Sequence, residues 1–134
     1  MSQFSIPVRV YIEDTDAGGI VFYANYLKFM ERARTEALRD AGVDLDHLHR
    51  LQKRLFVVRS VTIDYHLPAR YDDQLTVSAN IMTFRPASIV MEQPIYRGDA
   101  LLISSTVRLA CVNADTLAPT AIPKSIREAM TREQ

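Results

Sequence analysis

The 134-residue chain is predicted to adopt an α+β fold in which one long central helix is wrapped by a curved, five-stranded antiparallel sheet. Three observations predict it. Apolar residues alternate with polar ones over 6–12, they change to a helical period over 26–41, and four runs rich in β-branched and aromatic residues fill 55–113. A 134-residue chain is long enough to bury one core and too short for two, so one domain over 1–134 is expected.

Ile6, Val8, Val10 and Ile12 alternate with Pro7, Arg9, Tyr11 and Glu13, the pattern of a half-buried strand. Asp14-Thr15-Asp16-Ala17-Gly18-Gly19 follows, and its paired glycines and short polar side chains predict a tight loop. At 100° per residue, Tyr26, Leu27, Phe29, Met30, Ala33, Ala37, Leu38 and Ala41 share one arc, with Lys28, Arg32, Thr35, Glu36 and Arg39 opposite. Asn25 suits the amino-terminal cap, Tyr23 or Ala24 are equally acceptable starts, and Gly42 suits the carboxyl-terminal end.

Residues 44–54 read as a polar connection. Strands are then expected over Leu55–His66, Gln74–Phe84, Ser88–Arg97 and Ala100–Asn113, with turns at Pro68, Pro86 and Gly98-Asp99. Pro94 inside a strand predicts an edge or a bulge. A short helix from Pro123 to Met130 closes the pattern. Strands of up to ~40 Å beside a helix of ~25 Å fit a sheet that curves around the helix.

Composition excludes several functions. Sixteen basic residues balance sixteen acidic ones without long runs of one sign, so no field is available to hold a nucleic acid backbone. The amino terminus lacks a basic start followed by an apolar stretch, and no window approaches the ~20 apolar residues of a membrane span, so a cytoplasmic location is expected. The one cysteine, Cys111, sits in an alternating apolar run and reads as a small buried hydrophobe. His47, His49 and His66 show no zinc-ligand spacing, and no Gly-x-Ser-x-Gly elbow exists. Asp14 and Asp16 open like a calcium loop, but the twelfth position is Asn25 rather than a bidentate glutamate.

The segment from Asp14 to Tyr26 places a carboxylate, a flexible turn and a helix start within about ten residues. Helix starts carry unpaired N–H groups and partial positive charge, which suit an oxygen gaining negative charge. A carboxylate opposite such a site can attack a carbonyl or deprotonate water. By itself, an Asp- and Gly-rich segment also suits a plain solvated turn.

This segment, continuing to Glu31 and Arg34, resembles the signature of the 4-hydroxybenzoyl-CoA thioesterase family of hotdog proteins, and within it the acyl-CoA thioesterase branch associated with the Tol–Pal system. The resemblance extends over nearly the whole chain, including Arg85 to Ser88 and the closing Ile122-Pro123-Lys124. It implies a hotdog fold and hydrolysis of an acyl-CoA thioester without metal or organic cofactor. Asp16 matches the family's catalytic carboxylate, and Tyr23 the position whose backbone N–H polarises the thioester carbonyl. Many members of the Tol–Pal branch have histidine where this chain has Tyr23, so only the backbone role carries over. Gly19 and Val21 are the loop's candidate substrate contacts. Arg85, Ser88 and Lys124 are the candidates for the coenzyme A phosphates.

Glu31 is the reserve carboxylate, since a different hotdog thioesterase family uses a helix glutamate. Its plain role is an ion pair with Arg34 one turn later. His66, at a strand end, reads as a histidine facing water or as a residue reaching the pocket. The resemblance further implies a homodimer or homotetramer with sites between subunits, and acyl carrier protein as a partner at the inner face of the cell envelope. The contrasting expectation is a non-catalytic acyl-binding or scaffold protein of the same system.

Overall fold

A computed structural model describes residues 3–131. Its strands are β1 (Ser5–Arg9), β2 (Arg54–Tyr65), β3 (Gln74–Ser78), β4 (Asn80–Phe84), β5 (Ser88–Glu92), β6 (Ile95–Arg97) and β7 (Ala100–Asn113). Its helices are α1 (Asn25–Asp40), α2 (Leu45–Gln52) and α3 (Lys124–Thr131). The sheet is antiparallel throughout, in the order β1-β3-β6-β7-β5-β4 with β2 on the other side of β7. Because β3 runs on into β4 and β5 into β6, these seven segments make five ribbons.

Two expected strands are therefore broken in the middle. Between β3 and β4, the Ala79 N–H donates to Phe4 O at 2.8 Å and the Asn80 side chain accepts from the Phe4 N–H at 3.0 Å, so the amino-terminal segment takes over the hydrogen bonding at the kink. Between β5 and β6 stands Pro94, which has no N–H to give to a ladder. These kinks let the sheet curve around α1.

β1 stops at Arg9, short of the expected Ile12. A 3-10 turn over Ile12–Asp14 replaces the end of the strand, and the Asp14 carboxylate accepts from the Tyr11 N–H at 2.8 Å. α1 occupies nearly the predicted span, but its cap position is Ala24 and no side chain caps it. Tyr26, Phe29, Met30, Ala33 and Leu38 turn its buried stripe onto the sheet, where they meet Leu75, Val77, Ile89, Met91, Ile95 and Ile103.

α2 replaces the expected polar connection. Asp44 is its cap, the Oδ1 accepting from the Asp46 and His47 N–H groups at 3.0 and 3.1 Å, and Leu48 is buried one turn in. Lys53, at φ 56, ends it. Asp44→Ala should cost about 1 kcal/mol, visible as a lower urea midpoint with an unchanged slope.

β2 pairs with β7 from Arg54↔Asn113 to Tyr65↔Ile103, with a bulge between Val58 and Ser60. Among the described residues its other edge pairs with nothing, and Val57, Val58, Val61 and Tyr65 are exposed along it. Such an edge is open to a further strand. None of the described helices is long and apolar enough to cross a membrane.

Candidate active site

Asp16 lies in a loop held by its own backbone. The Asp16 N–H donates to Ile20 O at 2.9 Å, and the Gly19 N–H donates to Asp16 O at 3.1 Å. The Gly18 N–H donates to Asp16 Oδ1 at 2.8 Å, leaving Oδ2 with no hydrogen bond among the described residues. Two glycines make this turn possible for different reasons. A Cβ on Gly18 would sit 3.3 Å from Asp16 Oδ1, and Gly19 has φ +79°, which an L side chain rarely adopts.

The loop is docked to the rest of the fold by Val21, whose N–H donates to Ala69 O at 2.9 Å, and by Gly19, whose carbonyl accepts from the Tyr71 N–H at 3.2 Å. Asn25, expected as the cap, instead donates from Nδ2 to Asp14 O at 2.8 Å and so ties the first turn of α1 to the Asp16 loop. The N–H groups of Tyr23 and Ala24, just before the helix, have no backbone acceptor among the described residues. An uncapped helix start with free N–H groups is thereby placed a few residues from an exposed carboxylate.

A cavity of about 250 Å³ opens beside this helix start, lined by Val21, Tyr23, Tyr26, Tyr65, His66 and Pro68 among others. Val21 is buried, while Tyr23 stays 64% exposed. Three tyrosines build one wall. Tyr65 stands edge-on to Tyr23 and its hydroxyl donates to Tyr23 O at 3.3 Å. Tyr26 lies beneath, and its hydroxyl accepts from the Ala69 N–H at 3.0 Å. Burial pushes the Tyr26 phenol above its ordinary value, and burial together with Tyr23 does the same for Tyr65. Both phenols stay neutral donors near neutral pH.

The segment of the lining at 66–68 is braced by Arg97, which pairs with Asp73 at 2.8 Å and donates to Pro68 O at 3.3 Å. Burial works to raise the Asp73 carboxyl, but the Arg70 N–H and Arg97 hold it below the usual carboxylate range. His66 both lines the cavity and is exposed, its Nε2 lying 2.9 Å from Ser104 Oγ.

Of the predicted residues, Val21 and Tyr23 line the cavity, Asp16 and Gly19 lie on the loop that leads into it without lining it, and the others lie elsewhere. Glu31 is exposed and lines a different cavity, beside Arg34. Those two form no salt bridge; Arg34 turns inward and donates to Gln93 Oε1 at 3.0 Å. Arg85 and Ser88 flank the β4–β5 turn, and Ser88 pairs with Ala110 of β7, whereas Tyr65 pairs with Ile103. Seven residues of strand, about 23 Å, separate those two levels. Lys124 opens α3, with 89% of its side chain exposed. Cys111 is fully buried and its thiol is pushed up by burial, as suits a core residue.

Tyr65, Leu67 and Pro68 were not legible as site residues, since pairing across some forty residues delivers them. Tyr26 could have been found, three residues from Tyr23 and so on the same side of the helix start.

Comparison with known proteins decides the family. The model of the thioesterase superfamily matches residues 18–104. The chain belongs to the thioesterase superfamily. This thioesterase is 44% identical over 126 residues to the acyl-CoA thioesterase YbgC of Haemophilus influenzae, covering 94% of its own length and 93% of the relative. It is 45% identical over 130 residues to the acyl-CoA thioester hydrolase YbgC of Escherichia coli O6:H1, covering 92% of each. The solved structure of a probable thioesterase from Bartonella henselae superposes with a TM-score of 0.86 at 36% identity, covering 91% of this thioesterase and all of that chain. The fold is the hotdog fold, and the chain is a thioester hydrolase of that fold. The match to the family model begins at Gly18, two residues after Asp16.

Proposed function

We propose that this thioesterase hydrolyses acyl-CoA to a free carboxylic acid and coenzyme A, with Asp16 as the acting carboxylate and the Tyr23 N–H polarising the thioester carbonyl. The carrying observation is the pair itself: a backbone N–H without an acceptor at an uncapped helix start, and an exposed carboxylate held by a tight turn just before it. The names of the YbgC relatives support the substrate class. Asp16 either attacks the carbonyl carbon, forming a mixed anhydride that water then hydrolyses to the free acid and the regenerated carboxylate, or takes a proton from the water that attacks. The carbonyl oxygen gains negative charge against the Tyr23 N–H, the C–S bond breaks, and the sulfur leaves as a thiolate that takes up a proton. No metal or organic cofactor is needed for any of these steps.

The working unit in this proposal is a homodimer joined through β2. Two copies of the open edge pairing antiparallel about a two-fold set the Leu55 end of one strand against the Tyr65 end of the other. That pairing carries Arg85, Ser88 and Lys124 toward the partner's Asp16, which accounts for basic side chains that lie far from Asp16 in their own chain. They would then meet the coenzyme A phosphates.

Release of free thiol from a panel of acyl-CoAs, short aliphatic to long and including 4-hydroxybenzoyl, tests the reaction. Turnover on at least one member is expected; none on any member would refute it. Acyl carrier protein presents its acyl group on the same pantetheine thioester and is the proposed second donor, at the cytoplasmic face of the inner membrane. Failure to recover it with the tagged enzyme would remove it.

A further inference from the structure

Arg34 is 9% exposed and carries its charge into the space between α1, α2 and the sheet without an acid to meet it. Its Nη1 donates to Gln93 Oε1 at 3.0 Å. Gln93 is otherwise committed, its Nε2 donating to Met30 O at 3.0 Å and to Ser78 O at 3.1 Å. The other guanidinium N–H groups make no hydrogen bond among the described residues, and no carboxylate there lies within 4.0 Å. Burial pulls the guanidinium below its ordinary value, and Glu31 acts on it only at longer range.

Bonding to Gln93 does not require a cation, because a neutral donor would satisfy the same oxygen. A buried, unpaired charge costs several kcal/mol. What the charge faces is a cavity of about 340 Å³ with walls of Leu38, Leu48, Leu55, Phe56 and Leu109, and with Glu31 and Thr35 as its remaining polar lining. That volume is within the range of small-molecule sites, and apolar walls with one convergent polar group are their usual make-up. The planar guanidinium fork matches a carboxylate in particular.

We propose that this cavity binds an aliphatic carboxylate, the chain lying against Leu38, Leu48, Leu55 and Phe56 and the carboxylate on the free N–H groups of Arg34. Such a group has two sources: a free carboxylic acid, or the far end of an acyl chain that carries its own carboxylate. Either source links the cavity to thioester hydrolysis, and that link rests on the function proposed above; the binding itself does not.

Calorimetry on the wild-type protein with hexanoate, and with hexan-1-ol as the neutral match, tests the binding directly. Hexanoate should bind about tenfold more tightly than the alcohol, as a charged hydrogen-bond partner requires. Glu31→Gln, which removes the like charge beside the cavity, should tighten hexanoate about threefold and leave the alcohol unchanged. Arg34→Met should abolish the preference. Since that change is buried, Leu55→Trp, which fills the cavity from a half-exposed strand position, is the second variant and should abolish binding of both. Equal affinity for hexanoate and hexan-1-ol in the wild type, or unchanged hexanoate binding in either folded variant, would overturn the proposal.

Rates on adipoyl-CoA and hexanoyl-CoA then separate the sources. A preference for adipoyl that Arg34→Met removes assigns the cavity to the far carboxylate of the acyl group, and hexanoate binding without that preference assigns it to the free acid. If no thioester is turned over, the hydrolytic function fails while the calorimetric result stands.

Discussion

Asp16→Asn should lower turnover on the best acyl-CoA by about a thousandfold, within the range attributed to a positioned acid or base, and leave the fold intact. Asparagine keeps the side-chain oxygen that accepts from the Gly18 N–H at 2.8 Å, so the Asx-type turn survives the change. What it loses is the negative charge and the basicity of the second oxygen, the one without a hydrogen bond in the loop. Thiol release measured beside a thermal unfolding curve separates chemistry from folding. Near-wild-type turnover in a folded Asp16→Asn would take Asp16 out of the mechanism, and Glu31→Gln would then be the variant to measure.

Gln93→Leu should be the most destabilising conservative change in the core, by roughly 3 kcal/mol or more. Gln93 is fully buried and holds three groups on two elements: Met30 O and the guanidinium of Arg34 on α1, and Ser78 O on β3. Leucine fills the space and satisfies none of them, and an unpartnered buried cation is the worst of the three. Gln52 is the natural control. Its Oε1 is buried with no partner among the described residues, so Gln52→Met should be neutral or stabilising by up to about 1 kcal/mol. Urea unfolding of both variants measures the contrast, and equal losses would show that the hydrogen bonds of Gln93 contribute little.

Features that depend on local pattern could be seen in the chain beforehand, and features set by distant partners could not. The apolar stripe from Tyr26 to Ala41 marks α1 to within a residue at each end, because sixteen residues give the helical period time to show. The eight residues of α2 do not. Only the Asp44 cap and the Leu45 and Leu48 spacing announce it, against a polar background. Pro94 marks one kink of the sheet, since a residue without an N–H leaves a visible trace. The kink after Ser78 depends on Phe4, some seventy residues away, and leaves none. The site divides the same way. Asp16, the glycines and the helix start are neighbours in the chain, whereas Tyr65, His66 and Pro68 reach the cavity only through the pairing of β2 with β7. Arg34 marks the limit of helix spacing as a guide, because Glu31 is at pairing distance along the helix and Arg34 turns to Gln93 instead.

The strand register has a consequence for how the protein is made. β1 pairs with β3, Ser5 meeting Ser78, and β2 has to wait for β7, Arg54 meeting Asn113. A ribosome adding about 5–20 residues per second therefore releases α1, with Phe29 and Met30 on its bare face, several seconds before the strand that completes its cover. Through that interval the helix has only the β1–β3 pair and then β4–β5 to lie on, so part of its apolar face stays bare and the nascent protein is open to whatever binds exposed apolar segments at the tunnel exit.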